Sequence, residues 1–275
     1  MIKKAVYSQW SKPFGNVYGG FLNDKVAKAS WEMSVRNARM TFGEVDLVCD
    51  AASKSALVDE LGLEFDNVYN VLDDALSNID KSFWVMGKFW AYKMQTAPFI
   101  HIDSDFIFFD KVPKQILESD FVFSNKETVH SLYKIGFDLL DKCPVKPWYY
   151  DRNACYNDIC CVGVIGANNL ETIKEWVDGV FEIVTHPDNK LFWRAVGGKG
   201  RFYVCWVLEQ YLIANLLKKK KAKMMFLEEH FYRWAHFLGG SKRDQHFGKK
   251  ILGRNYFDKI VNSKNTKGGE PPYPK

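Results

Sequence analysis

Short apolar runs alternate with helical patterns through the first part of the chain, and this order restricts the fold more than any other feature. Strands are predicted at residues 5–7, 45–49, 67–71 and 99–102. Helices are predicted between them, at residues 27–40, 55–61 and 83–95. Because a helical crossover leaves the two flanking strands parallel, the pattern predicts an α/β fold: a Rossmann-like, mixed but mostly parallel sheet with helices on both faces.

The rest of the chain continues without a repeat or a low-complexity block. An apolar stripe predicts a helix over residues 170–184, a second helix is predicted at 204–217, and a strand at 223–227. We therefore predict one domain over residues 1–261, divided into a ligand-binding half (1–110) and a second half (111–261). Residues 262–275 are rich in Ser, Asn, Lys, Gly and Pro, and predict a disordered tail.

Charge and composition exclude several classes of protein. The net charge of +5 over 275 residues is too small to indicate a nucleic-acid-binding protein, but it suits an anionic ligand. No apolar run is long enough to span a membrane, no leader-like segment follows Met1, and no Cys-x-x-Cys pair occurs. We therefore expect a cytoplasmic protein with free thiols. The basic run at 218–221 and Lys223 predicts a solvated helix end, or else peripheral contact with the inner membrane leaflet.

Two carboxylates follow the strand predicted at 99–102. That strand is apolar on both faces, which indicates burial, and it ends abruptly at Asp103, Ser104 and Asp105. Open α/β sheets bind ligands beyond the carboxyl ends of their strands. Carboxylates this close repel each other unless a hard cation lies between them. The alternative is a pair of solvated turn aspartates.

A second motif lies near the end of the chain. His236, Gly239 and Lys242 form His-x-x-Gly-x-x-Lys. An imidazole can bind a metal, a glycine lets backbone N–H groups approach an anion, and an ammonium can pair with phosphate. Taken singly, the same residues would be a core histidine, a flexible turn and a surface lysine.

Together, the segment from Phe99 to Pro113 and the motif at His236 resemble the metal-binding segments of GT-A glycosyltransferases. The second motif resembles the retaining family that contains glycogenin and bacterial lipooligosaccharide galactosyltransferases. The resemblance implies that Asp103, Asp105 and His236 bind Mn²⁺, or Mg²⁺ in its place. It further implies a nucleotide-sugar donor, expected to be a UDP-sugar, held by residues 1–110, and a glycan or glycolipid acceptor on the side of residues 111–261.

The same resemblance assigns the remaining candidate residues. Glu209 and Gln210 resemble the acidic-Gln pair beside the reacting carbon, with a structural helix-end glutamate as the alternative for Glu209. The donor-binding residues that it implies are Tyr7, Ser8, Gln9, Lys88, Ser104, Gly239 and Lys242. For Lys88, a solvated helix face is the alternative.

Two other functions are compatible with an Asp-x-Asp motif. One is a non-catalytic nucleotide- or carbohydrate-binding protein on the same scaffold, which turnover would distinguish. The other is a phosphohydrolase of the haloacid-dehalogenase type. Those enzymes place the motif near the N-terminus and follow it with Thr or Val, whereas Phe106 follows Asp105 here.

Overall fold

The strands of the computed structural model, which describes residues 1–237, agree with the predicted order. In chain order they are β1 (Lys4–Gln9), β2 (Glu44–Cys49), β3 (Asn67–Asn70), β4 (Phe99–Ile102), β5 (Phe106–Phe108), β6 (Phe121–Phe123), β7 (Lys126–Glu127), β8 (Ile159–Cys160), β9 (Val164–Ala167), β10 (Met224–Phe226) and β11 (Trp234–His236). The predicted tail, Gly239 and Lys242 lie outside the described residues.

Within the described residues, seven of these strands form one sheet in the order β10-β6-β9-β4-β1-β2-β3. All neighbours pair in parallel except β9, which is antiparallel to both β4 and β6. Strand β4 lies in the interior of this sheet, and its four residues are buried. The carboxyl end of a buried central strand therefore carries Asp103.

Helices cover the sheet. They are α1 (Asp24–Ala38), α2 (Ala51–Lys54), α3 (Leu72–Ala75), α4 (Met86–Lys93), α5 (Lys114–Leu117), α6 (Ser131–Lys142), α7 (Leu170–Thr185), α8 (Pro187–Trp206), α9 (Leu212–Lys220) and α10 (Leu227–His230). Wider π-helical turns, Ser55–Glu60 and Val207–Tyr211, extend α2 and join α8 to α9. Helix α8 is interrupted at Gly197, whose φ is 76°.

The two faces of the sheet bury two separate cores, because successive side chains of a strand point to opposite faces. Val6, Val48 and Phe99 belong to the core shared with α4, α6 and α7. Ala5 and Tyr7, their neighbours on the other face, pack with Trp31 of α1. The predicted α/β class, with a mostly parallel sheet and helices on both faces, is confirmed and is consistent with a GT-A fold.

No helix in residues 1–237 is both long and apolar enough to cross a lipid bilayer.

Candidate metal centre

A tight turn holds Asp103 and Asp105 at the end of β4. The N–H of Phe106 donates to the Asp103 carbonyl at 2.9 Å, and the Asp103 N–H donates to the Gly163 carbonyl at 2.9 Å. On the other side, the Ser30 hydroxyl of α1 donates to the carbonyl of Ser104 at 2.8 Å. The turn is thus fixed by the neighbouring strand β9 and by α1, so the two carboxylates have little freedom to move apart.

His236 reaches this turn through strand pairing. Strand β11 is antiparallel to β5, with His236 opposite Phe106. The Phe237 N–H donates to the Asp105 carbonyl at 3.0 Å, which continues the pairing to the turn itself. The imidazole lies beside Gly163, where a Cβ would be 2.7 Å from His236 Nδ1. A side chain at position 163 would therefore occupy the space that the imidazole fills.

Asp103, Asp105 and His236 come together as a group that could hold a metal ion. One ligand atom from each lies within 4.8 Å of the others. His236 Nε2 and Asp105 Oδ1 are 3.6 Å apart, and both side chains are almost fully buried. Two ligands that lie ~2.1 Å from one ion are separated by ~3.0–4.2 Å, depending on the angle between them. The donor set, and the 3.6 Å between Asp105 and His236, therefore fit a divalent cation.

Lys88 lies inside the site, so the alternative of a solvated helix face is wrong. Its Nζ is 2.8 Å from Asp103 Oδ2 and also forms an ion pair with Glu209. Burial opposes the charge, but the carboxylates of Asp103 and Glu209 hold the pKa of Lys88 well above its ordinary value. This ammonium links the turn after β4 to the helix that carries Glu209.

Among residues 1–237, the site brings together the carboxyl groups of Asp103, Asp105 and Glu209 and the ammonium of Lys88. Burial raises the pKa of Asp103, with Asp105 acting in the same direction and Lys88 against it. Burial likewise raises the pKa of Glu209 to about 7, although Lys88 lowers it. A bound divalent cation would relieve the mutual repulsion of these carboxylates.

Glu209 and Gln210 lie in the π-helical turn between α8 and α9, so Glu209 is not at the helix N-terminus where the structural alternative placed it. The Gln210 side chain turns to Tyr133, whose hydroxyl oxygen is 2.7 Å from Gln210 Oε1 and 3.0 Å from Glu127 Oε2. Burial raises the pKa of Tyr133 far above its usual range, so the hydroxyl keeps its hydrogen.

One hydroxyl hydrogen cannot serve two acceptors. A half-turn of the Gln210 amide satisfies both contacts, because its nitrogen then donates to Tyr133 while Tyr133 donates to the Glu127 carboxylate. The Gln210 carbonyl oxygen then points away from Tyr133. Glu127 and Tyr133 were not predicted from the sequence, in which neither residue belongs to a recognisable motif.

Three of the predicted donor-binding residues lie at the end of β1. The Tyr7 prediction is wrong for its side chain, which is completely buried and bonds Ser34 Oγ at 2.9 Å. Ser8 is half-buried and its hydroxyl lies 2.9 Å from Nε2 of His101. Gln9, also half-buried, donates to the Val17 carbonyl at 2.6 Å.

His101 supports the site from within β4. Its Nδ1 lies 3.8 Å from Asp103 Oδ1. Burial, and then the nearby Lys88 charge, hold the pKa of His101 well below its ordinary value, so the ring is neutral. It therefore adds no charge to the cluster.

The basic run at the end of α9 contacts its own chain. Lys218 bonds the Ala154 carbonyl, Lys219 lies over the Trp148 ring at 5.8 Å, and Lys220 pairs with Glu175 at 2.5 Å.

Comparison with known proteins gives a family but no activity. The model of a family of unknown function (DUF6734) matches residues 3–267. No curated protein matches the sequence. Among solved structures, the chain is similar to the apo form of mouse xyloside xylosyltransferase 1, at 13% identity and a TM-score of 0.41, over 89% of this chain and 94% of that chain.

Proposed function

The chain belongs to the family of unknown function DUF6734, and we propose from its own site that it is a metal-dependent glycosyltransferase. It would move a hexose from a nucleoside-diphosphate sugar, a UDP-sugar for preference, to a glycan or glycolipid. The observation that carries the proposal is the convergence of Asp103, Asp105 and His236 at the carboxyl edge of the sheet, beside the Lys88–Glu209 ion pair. The resemblance of both sequence motifs to GT-A glycosyltransferases supports the same activity.

Asp103, Asp105 and His236 would hold the cation. Oxygen ligands suit Mg²⁺ and Mn²⁺, and the imidazole favours Mn²⁺. When bound, such an ion neutralises the negative charge that develops on a departing diphosphate. Ser8, Gln9 and Ser104 would contact the donor from the ends of β1 and β4, and Gly239 and Lys242 are proposed to contact its phosphates.

Lys88 would act as a positioning residue. Its ammonium lies between Asp103 and Glu209 and so fixes the distance between the metal ligands and the carboxylate. Its charge also opposes the effect of burial on Glu209, whose pKa is nevertheless raised to about 7. In its ionised form, a carboxylate held in this way can face a developing positive charge.

We further propose that transfer proceeds with retention of configuration. An oxygen of Glu209 or Gln210 close to the anomeric carbon would stabilise its positive charge or bond to it. The half-turned amide of Gln210 presents a carbonyl oxygen for this purpose, with Tyr133 and Glu127 fixing its orientation. NMR of the product tests this proposal, because an α-linked donor should give an α-linked product and a β-linkage would refute it.

Turnover with Mn²⁺ and a panel of UDP-sugars tests the activity itself. Asp103→Asn should abolish both Mn²⁺ binding and sugar transfer or donor hydrolysis. Asp110→Asn is the matched control, since Asp110 is an exposed aspartate just beyond β5 and should tolerate the change. Wild-type turnover in Asp103→Asn would refute the proposal. Binding of Mn²⁺ and nucleotide without any turnover would instead identify a non-catalytic binding protein.

A further inference from the structure

A cavity of about 550 Å³ lies at the same edge of the sheet as the candidate metal centre. Its lining residues are Pro13 from the loop after β1, Asp80, Lys81, Ser82 and Trp84 before α4, and Gly198, Lys199, Arg201 and Phe202 after the break in α8. The loop after β1 and the start of α4 both lie beyond the carboxyl ends of the parallel strands, where α/β sheets bind ligands. The cavity therefore opens at the same edge of the sheet, although it shares no lining residue with the candidate metal centre.

Aromatic rings form one wall of the cavity. Trp84 and Phe202 line it, with ring centroids 6.2 Å apart. Trp206 packs behind both, 5.6 Å from Trp84 and 5.2 Å from Phe202. Phe202 is 37% exposed, so part of its ring is open to a ligand. The wall is thus supported from behind by Trp206, and the described residues leave part of Phe202 uncovered.

This aromatic wall is close to the Lys88–Glu209 ion pair. Trp84 lies just before α4, four residues ahead of Lys88 in that helix. Trp206 is the last residue of α8, three residues ahead of Glu209 in the π-helical turn that follows. One helical turn advances ~5.4 Å along the axis. Because Lys88 and Glu209 contact each other, both aromatic residues lie about one turn from the proposed reacting centre.

The rim of the cavity is polar and ordered. Arg201 donates to Ser82 Oγ and to Asp80 Oδ2, each at 2.8 Å. Lys81 and Lys199 also line the cavity and are exposed. A pyranose ring has an apolar C–H face and an edge of hydroxyl groups, which complement the aromatic wall and the polar rim. Such a ring could stack on Phe202 and bond the rim with its hydroxyls.

We propose that this cavity, which nothing described above assigns, binds a pyranose ring of the saccharide acceptor. The inference rests on the proposed glycosyltransferase function only in that it identifies the saccharide as the acceptor. Saccharide binding itself does not require the metal. Its determinants are the ring of Phe202, supported by Trp84 and Trp206, and the rim formed by Asp80 and Arg201. Because Phe202 precedes Glu209 by seven residues, a ring stacked on it would lie about two helical turns, ~10 Å, from Glu209.

Saturation-transfer NMR on the full chain, without metal or nucleotide, tests the inference. The probes are methyl glycosides of glucose, galactose, mannose, xylose, N-acetylglucosamine and glucuronic acid. We expect at least one to receive saturation at its ring C–H protons. Phe202→Ala should weaken its binding about two- to ten-fold, the equivalent of one stacked ring, and Phe202→Trp should restore it. Phe202 is partly exposed, so Phe202→Ala should still fold, which circular dichroism would verify.

Two controls separate this inference from the proposed function. Trp148→Ala removes an aromatic side chain that is 64% exposed elsewhere on the surface, and should leave saccharide binding unchanged. Asp103→Asn should lose Mn²⁺ binding but keep saccharide binding. Absence of binding by every glycoside, or equal binding by wild type and Phe202→Ala, would overturn the cavity assignment alone. Unchanged Mn²⁺ binding in Asp103→Asn would overturn the metal centre alone.

Discussion

Substituting Gly163 tests the metal centre without removing any ligand. A Cβ at this position would lie 2.7 Å from His236 Nδ1 and closer still to Cε1 and Nε2. Ordinary van der Waals contact requires ~3.5 Å, so in Gly163→Ala the imidazole must move by roughly 1 Å. Gly163 is not among the described glycines with positive φ, so the backbone itself accepts alanine.

The displaced imidazole should bind the ion poorly. Disturbing the support of a metal ligand typically costs ~10–100-fold in affinity, and we expect Gly163→Ala to weaken Mn²⁺ binding by that factor. Isothermal titration calorimetry measures the affinity, and urea unfolding without metal measures any accompanying loss of stability. Gly43→Ala is the matched control, because a Cβ at Gly43 would meet nothing within 4 Å.

A double-mutant cycle identifies the cause of the effect. If Gly163→Ala acts only through His236, then it should have no further effect on Mn²⁺ affinity in a His236→Ala background. Wild-type affinity in Gly163→Ala, or an equal loss in both backgrounds, would refute the placement of His236 as a ligand beside Gly163.

Three further substitutions test the surroundings of the cation. Lys88→Met leaves Asp103 and Glu209 without their shared ammonium, and should destabilise the metal-free protein by about 2–4 kcal/mol in urea unfolding. Mn²⁺ should recover part of this loss of stability, whereas unchanged stability would contradict the ion pairs. Because burial raises the pKa of Glu209 from 4.5 to about 7, protonated Glu209 stabilises the fold at low pH, and that contribution is lost as the pH rises through about 7. The metal-free wild type should therefore lose up to about 3 kcal/mol between about pH 5 and pH 8. Glu209→Gln should flatten this dependence, and equal slopes would show that Glu209 is not responsible. Tyr133→Phe frees the Gln210 amide and should lower kcat about ten-fold with little change in KM, whereas a change in KM alone would assign Tyr133 to substrate binding.

The strands and the turn that carries the two aspartates were predictable because the determinants are local. An apolar run such as Phe99–Ile102 is buried on both faces, and Asp103 marks its end. The α/β class followed from the order of such runs. The position of His236 beside Asp105 depends instead on the pairing of β11 with β5, which no local pattern specifies.

Side-chain direction and distant partners account for the errors. Tyr7 is adjacent to Ser8 in β1, but the pleat directs it into the core against Trp31. The sequence alone was compatible with Lys88 on an exposed helix face, because its partners, Asp103 and Glu209, lie in other elements of the fold. The contact of Tyr133 with Gln210 joins two helices that are remote in sequence, so the sequence alone offered no means of finding it.

The pairing of β11 with β5 also determines when the site can form. During synthesis the ribosome releases Asp103 and Asp105 long before it releases His236, so a nascent chain can complete much of its sheet while the proposed cation site still lacks its nitrogen ligand. A chain that stopped before Trp234 would retain both aspartates but have no imidazole to complete the coordination. Completion of the proposed metal site is thus coupled, through the three residue pairs of β11 and β5, to synthesis of the segment that contains His236.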